Sequence, residues 1–488
     1  MMNYLSKSLL EIHDLILKGE ISPLELVKLA INKAKEDDNN AFEYISEQEA
    51  IKRVNNLDPS LKDSVFYGIP IVVKDNYSTK GIPTTASCNL LNGYVPIFSA
   101  EAITRLENAG AILIGKTTMD ELSMGGKGIT GHLGPTYNPW DKSHKRIVGG
   151  SSAGSAAAVS AGIVPFALGS DTGDSIRKPA SYAGLVGFKP TWSRISRFGL
   201  FSFATSMDHV SFFTRNVIDS AISLSILAGR DKKDISSSNE PVDDYVKDID
   251  KNIDNKRIAV VQGILDSISD KKLLEDFAEL VRKLKEAGFI VEFVHIDPKI
   301  LKAIYPTYMI ISSAEAGSNY ACLDGVKYGN RELGNTYEEV VMNTRTKGFS
   351  TLIKRRFVIG SYSLLNENTN ELFLRAQKCR RLIVDAFRKV FENYDAILVP
   401  SAPGIAPIID DLDNGLLSDE YLIADNYMAF ANMGGFPSIT LPLGFEEGMP
   451  FGVNITSNIF KEKDLFNIAY QVEQITGLKD LVAGENNE

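Results

Sequence analysis

From Ile147 to Ser170 the chain runs without one charged side chain, and most of the residues that fill this stretch are glycine, alanine and serine. The run is long enough to cross a bilayer. Its glycines, serines and Pro165 favour a segment buried inside a protein over a membrane span. Within it, Ser152 to Gly162 reads as a small-residue helix and Phe166-Ala167-Leu168 as a strand.

Two Gly/Ser loops bracket that helix and strand: Gly149-Gly150-Ser151-Ser152-Ala153-Gly154-Ser155 before, and Gly169-Ser170-Asp171-Thr172-Gly173-Asp174-Ser175-Ile176-Arg177-Lys178-Pro179 after. Glycine allows backbone N–H groups to turn inward and approach a ligand, and a helix N-terminus adds partial positive charge. Such loops suit an oxyanion hole or a phosphate cradle. Either loop alone reads as an ordinary turn, but two flanking one buried helix read as a site. A P-loop would end in Gly-Lys-Ser/Thr, which neither does.

The surrounding pattern is α/β. Ser22-Pro23-Leu24-Glu25 supplies an N-cap, a first-turn proline and a capping-box glutamate ahead of Val27, Ala30, Ile31 and Ala34 on one helical face. Gly68 to Val73 reads as a short buried strand that sets Lys74 and Asp75 at its C-terminal end, where ligand sites of α/β sheets gather. Residues 102–110 read as helix and 111–114 as strand. The alternation resumes with strand 257–261, helix 273–287, strand 289–294, helix 371–393 and strand 396–399. Strands at 438–443 and 452–456 and an amphipathic helix at 464–475 follow. This rhythm predicts a mixed or parallel sheet. The polar, acidic stretch 231–256 is a connector and the single candidate internal boundary.

At 488 residues the chain can bury a large core. Its net charge of -10 and pI of about 5.3 argue against a broad phosphate-binding face. Cys88, Cys322 and Cys379 are far apart and lack Cys-x-x-Cys spacing, which fits a reducing, cytoplasmic setting.

Several stretches are specific: GIPIVVKDN (68–76), AILIGKTTMDE (111–121), GGSSAGSAAAVSAG (149–162), ALGSDTGDSIRKPA (167–180) and GLVGFKPT (184–191). Through them the chain resembles the amidase-signature family along nearly its whole length. The resemblance implies one large α/β fold over 1–488, with a mixed, mostly parallel sheet covered by helices on both faces. An amidase core at about 60–230 would be joined through 231–256 to a part, 257–488, that completes the same sheet and the substrate site.

The family's Ser-cisSer-Lys triad maps onto Ser175 as nucleophile, Ser151 as relay and Lys74 as base. The chemistry is sound on residue types. None of the five histidines lies in a catalytic-looking motif, and a lysine can serve if burial lowers its pKa by several units. Backbone N–H groups of Thr172, Gly173, Asp174 and Ser175 would hold the oxyanion.

Further runs in the C-terminal half, including Pro306-Thr307-Tyr308, Ser313-Ala314-Glu315-Ala316, Asp324 to Gly329 and Lys354-Arg355-Arg356, are similar to the A-subunit branch of the tRNA-dependent amidotransferases. That branch implies glutamine as substrate, with Arg356 on its α-carboxylate, Asp425 on its α-ammonium and Tyr308 beside them; Arg355 is the alternative carboxylate ligand. It also implies partner B and C subunits, Glu-tRNA(Gln) served through the complex, and ATP and Mg²⁺ used by the partner. No metal or cofactor is implied for this chain, and no membrane.

The chain departs from the family at Asp174, where glycine is usual, at Ala153 for glycine, Lys178 for glutamine, Trp192-Ser193 for Tyr-Gly and Ser211-Phe212 for Gly-Pro. A carboxylate at 174 facing the oxyanion would oppose developing negative charge, whereas one facing away would leave the N–H in place. The expectation is that it faces away. Two other readings come from these departures: a free-standing amidase on another small amide, and a weakened subunit that mainly scaffolds a complex. The loop Gly126 to Gly131 fits G-x-G-x-x-G but lacks a directly preceding strand and a following helix, and Gly150 to Gly154 fits G-x-S-x-G without the strand before it that an α/β-hydrolase needs.

Overall fold

Along the strand Arg257–Val261, Ile258 and Val260 enter one hydrophobic cluster while Ala259 and Val261 enter another. The strand Ala396–Pro400 alternates likewise, with Ala396 and Leu398 on one side and Ile397 and Val399 on the other. Period-two alternation with both faces apolar is the signature of a sheet buried between two layers. Each buried aliphatic side chain contributes roughly 1.5–3 kcal/mol by leaving water.

The computed structural model describes residues 3–251, 255–412 and 418–485. The strands are β1 (Phe42–Ile45), β2 (Pro70–Lys74), β3 (Ile112–Thr117), β4 (Phe166–Asp171), β5 (Val186–Lys189) and β6 (His209–Thr214). Then come β7 (Arg257–Val261), β8 (Ile290–Val294), β9 (Ala396–Pro400), β10 (Ser438–Glu446) and β11 (Met449–Ser457). They form one sheet in the order β1-β3-β2-β4-β6-β5-β10-β11-β9-β7-β8.

The sheet is mixed, as expected. Parallel ladders occupy two wings, β3-β2-β4 and β8-β7-β9, while the strands between them pair antiparallel. One face carries the helices Pro23–Lys35, Ala153–Ser160, Val217–Leu227, Lys271–Glu286 and Glu462–Thr476. The other carries Pro298–Asn319, Thr351–Leu364 and Arg375–Phe391. Among the described residues no helix is long and apolar enough to cross a membrane. The Pro23–Lys35 helix opens with the expected capping box between Ser22 and Glu25.

The stretch 231–256, of which 252–254 lie outside the described residues, does not separate two sheets, since β7 joins the second half of the chain to β9 and β11 of the same sheet. It is pinned to the body: Arg194 donates to the Glu240 carbonyl at 3.0 Å and the Tyr245 hydroxyl at 2.7 Å, and Asn467 donates to the Asp248 carbonyl at 2.7 Å.

Candidate active site

Because β2 lies parallel between β3 and β4, the C-terminal ends of all three strands reach one edge of the sheet. Lys74, the last residue of β2, is fully buried there. Its Nζ donates to Ser151 Oγ at 2.7 Å and to Ser170 Oγ at 3.0 Å, and Asn76 also donates to Ser170 Oγ at 2.9 Å. Burial dominates its titration: despite the carboxylates of Asp120, Asp171 and Asp208, the ammonium pKa falls to about 7. Lys74 can thus stand neutral near pH 7 and accept a proton from a hydroxyl.

Ser151 sits in the loop that enters the Ala153–Ser160 helix, and the Gly150–Ser151 peptide is cis. Asp120 braces this loop. Its carboxylate accepts the N–H groups of Gly128 (2.9 Å), Ile129 (3.1 Å) and Thr130 (3.2 Å), and its own N–H donates to the Ser151 carbonyl at 3.2 Å. The Gly150 N–H donates to the Gly126 carbonyl at 3.0 Å. The glycines at 125 and 150 are required by this packing, since a Cβ would lie 2.3 Å from Asp120 Cγ or 2.1 Å from its Oδ2. The G-x-G-x-x-G segment is therefore a carboxylate-centred brace for the serine loop.

Ser175, 4% exposed, lies at the end of β4's loop, where its carbonyl accepts the Ser152 N–H at 3.3 Å. Its hydroxyl makes no hydrogen bond among the described residues. Behind the loop, Arg177 is fully buried and ion-paired to Asp171 at 2.9 Å. The same guanidinium donates to the Gly173 carbonyl at 2.7 Å, the Met428 carbonyl at 3.0 Å and Asn432 Oδ1 at 2.7 Å. Asn432 in turn donates to the Asp171 carbonyl at 3.1 Å. A trans peptide sets its C=O and N–H on opposite sides. Pinning the Asp171 and Gly173 carbonyls to this clamp turns the N–H groups of Thr172 and Asp174 the other way, and neither donates to any group among the described residues. The loop thus presents unused donors next to a free serine hydroxyl, which suits a developing oxyanion. Replacing Arg177 by methionine leaves Asp171 a buried, unpaired charge, so the variant is expected to lose about 3–5 kcal/mol in chemical denaturation. Adding Asp171→Asn is expected to recover part of that loss.

A cavity of about 790 Å³ opens beside the loop and is lined by Asp174, Lys178, Tyr308, Arg355, Arg356 and Asp425, among others. The Asp174 carboxylate is held by Lys178 Nζ at 2.7 Å, and the same ammonium reaches Asp425 at 3.1 Å. Burial works against the Lys178 charge, yet the two carboxylates raise its pKa well above the ordinary lysine value. Burial raises the Asp174 carboxyl, and Lys178 opposes that rise. Tyr308 packs on the loop 172–175 so closely that a Cβ at Gly173 would lie 3.0 Å from its Cζ. Arg356 donates to Ser312 Oγ at 3.3 Å and lies 5.9 Å from the rings of both Phe203 and Tyr308. Arg355 is exposed on the same cavity wall.

Lys74 and Ser151 are therefore in direct contact, with the loop 172–175 beside them through the Ser152–Ser175 backbone bond, while Tyr308, Arg356 and Asp425 share one cavity. Sequence reasoning did not single out Asp120, Ser170, Asn76, Arg177 or Asn432. Their one signal is a polar residue in or beside an otherwise apolar strand, short helix or small-residue loop.

The amidase family profile matches residues 25–466. The A subunit of a glutamyl-tRNA(Gln) amidotransferase from Persephonella marina is 39% identical over 482 residues, covering 97% of each chain. Its counterpart from Streptococcus pneumoniae is 38% identical over 481 residues, covering 98% of this chain and 97% of that one. The crystal structure of the A subunit of the glutamyl-tRNA(Gln) amidotransferase from Thermotoga maritima superposes with a TM-score of 0.80 at 33% identity, over 97% of this chain and 96% of that one.

Proposed function

This chain belongs to the amidase family, and from that premise we propose that it releases ammonia from glutamine as the A subunit of a tRNA-dependent amidotransferase. The chemistry rests on one observation, the buried Lys74 at 2.7 Å from Ser151 with its pKa lowered to about 7. The choice of glutamine rests on the name its near-full-length relatives carry.

Neutral Lys74 takes the Ser151 proton, Ser151 takes the Ser175 proton, and Ser175 Oγ attacks the side-chain amide carbon of glutamine. The N–H groups of residues 172–175 hold the oxyanion, each good donor contributing about 3–4 kcal/mol to the transition state. As the tetrahedral intermediate collapses, the relay returns the proton to the leaving nitrogen and ammonia departs. Water, deprotonated by the same relay, releases glutamate and restores Ser175. Arg356 holds the substrate carboxylate through its planar fork, with Arg355 as the alternative, and Asp425 faces the ammonium. The chain works as one unit with 231–256 as an internal connector.

In this reading the ammonia passes to a B subunit, with a C subunit completing the complex, and converts Glu-tRNA(Gln) to Gln-tRNA(Gln) in the cytoplasm. ATP and Mg²⁺ are the partner's reactants.

Glutamate release is expected from the chain together with its B-type partner. Activity on other small amides without a partner would identify a free-standing amidase, and silence toward glutamine with and without partner would identify a scaffold. The acting form of Lys74 is neutral, so kcat/KM is expected to fall about tenfold per pH unit below 7 and to level off above it. A profile flat from pH 5.5 to 8 would remove Lys74 as the base.

A further inference from the structure

Lys178 is nearly excluded from solvent, its side chain 7% exposed, and it is held between Asp174, one helical turn back, and Asp425, across the cavity. A buried ammonium must keep a carboxylate partner. If residue 174 were glycine, Lys178 would have Asp425 alone, and that carboxylate would already be neutralised when a substrate ammonium arrived. With Asp174 present, two carboxylates share one ammonium and the group keeps one net negative charge facing the cavity.

We infer that Asp174 and Lys178 form a coupled positioning pair in which Asp174 retains the lysine so that Asp425 stays available to the substrate's α-ammonium. The inference rests on the glutamine reading above and names the device that sets its preference for a zwitterion. It also accounts for both residues together: either substitution alone shifts the charge of the group by one, whereas the two made jointly conserve it. The carboxylate at 174 therefore serves the ammonium end of the site through Lys178, while the backbone N–H at the same position serves the oxyanion.

The test compares glutamine with glutaramate, which keeps the amide and the carboxylate but lacks the α-amino group. Using the ratio of kcat/KM values cancels changes in oxyanion stabilisation, which act on both amides alike. In the complex with its partner, Asp174→Gly is expected to lower the glutamine-to-glutaramate ratio about tenfold, Lys178→Gln to raise it by a similar factor, and the double variant to restore it. A purely structural role would move both substrates together and leave the ratio fixed. If the wild type prefers glutamine but its ratio does not respond to Asp174→Gly, the coupled pair is overturned and the glutamine reading stands. If the wild type cleaves glutaramate and not glutamine, the glutamine reading falls and takes the inference with it.

Discussion

Replacing Ser175 with alanine is expected to lower amide hydrolysis on the order of 10⁵-fold while leaving the fold intact. The size follows from the loss of the only atom that forms the acyl bond in the proposed sequence; positioning and oxyanion donors alone leave a small residual rate. The structural cost is small because the lost hydroxyl makes no hydrogen bond among the described residues. Thermal midpoints of the two proteins are expected to agree within about 2 °C. Ammonia release gives the rate, and trapping with hydroxylamine should give a hydroxamate from the wild type and none from the variant. Retained turnover in a folded Ser175→Ala protein would remove this serine from the reaction.

Lys74→Met separates catalysis from stability in opposite directions. Without the proposed base, turnover is expected to fall at least about 10³-fold. Stability moves the other way. The folded pKa of Lys74 is about 7 against 10.5 for an unperturbed lysine. Between those values the unfolded chain holds a proton that the folded protein lacks. The lysine's penalty is therefore full at pH 7 and below, about 5 kcal/mol, and shrinks by about 1.4 kcal/mol per unit as pH rises toward 10.5. Loss of the hydrogen bonds to Ser151 and Ser170 offsets part of the gain, about 1–3 kcal/mol. Lys74→Met is thus expected to melt above the wild type at pH 7, with the gap closing by pH 10. A gap independent of pH would mean that the lysine is charged in the folded protein.

Much of this frame was readable in advance where local chemistry decides the outcome. The Ser22–Glu25 box is complete within four residues, and the run of mostly alanine, glycine and serine at 153–160 marks a helix small enough on every side to be buried all round. β1 and β5 escaped because each is four residues long, too short to display a period, and β6 mixes His209, Ser211 and Thr214 with Val210, Phe212 and Phe213 in an alternation that breaks at Phe213. The helix Pro298–Asn319 escaped because Pro306 reads as a stop, yet the helix continues through it, packed against the helices Thr351–Leu364 and Arg375–Phe391. In the site, Lys74, Ser151 and Ser175 stand out through the family resemblance, Lys74 at the end of β2 and the two serines in Gly/Ser loops. Arg177 does not, because what gives it a role is a contact with Asn432, 255 residues away. Asp174 was legible only as a departure, and its carboxylate has a partner that pattern reading did not supply, the lysine one turn along.

The clamp behind the loop 172–175 has a consequence for the order in which the protein is made. Met428 and Asn432, which hold Arg177 and with it the Gly173 carbonyl, follow Arg177 by 251 and 255 residues along the chain. A nascent polypeptide therefore carries Lys74, Ser151 and Ser175 without the groups that aim the loop until those two residues have been made. In the proposed reaction, a fragment that stops short of Met428 is expected to carry these three side chains and to release no ammonia.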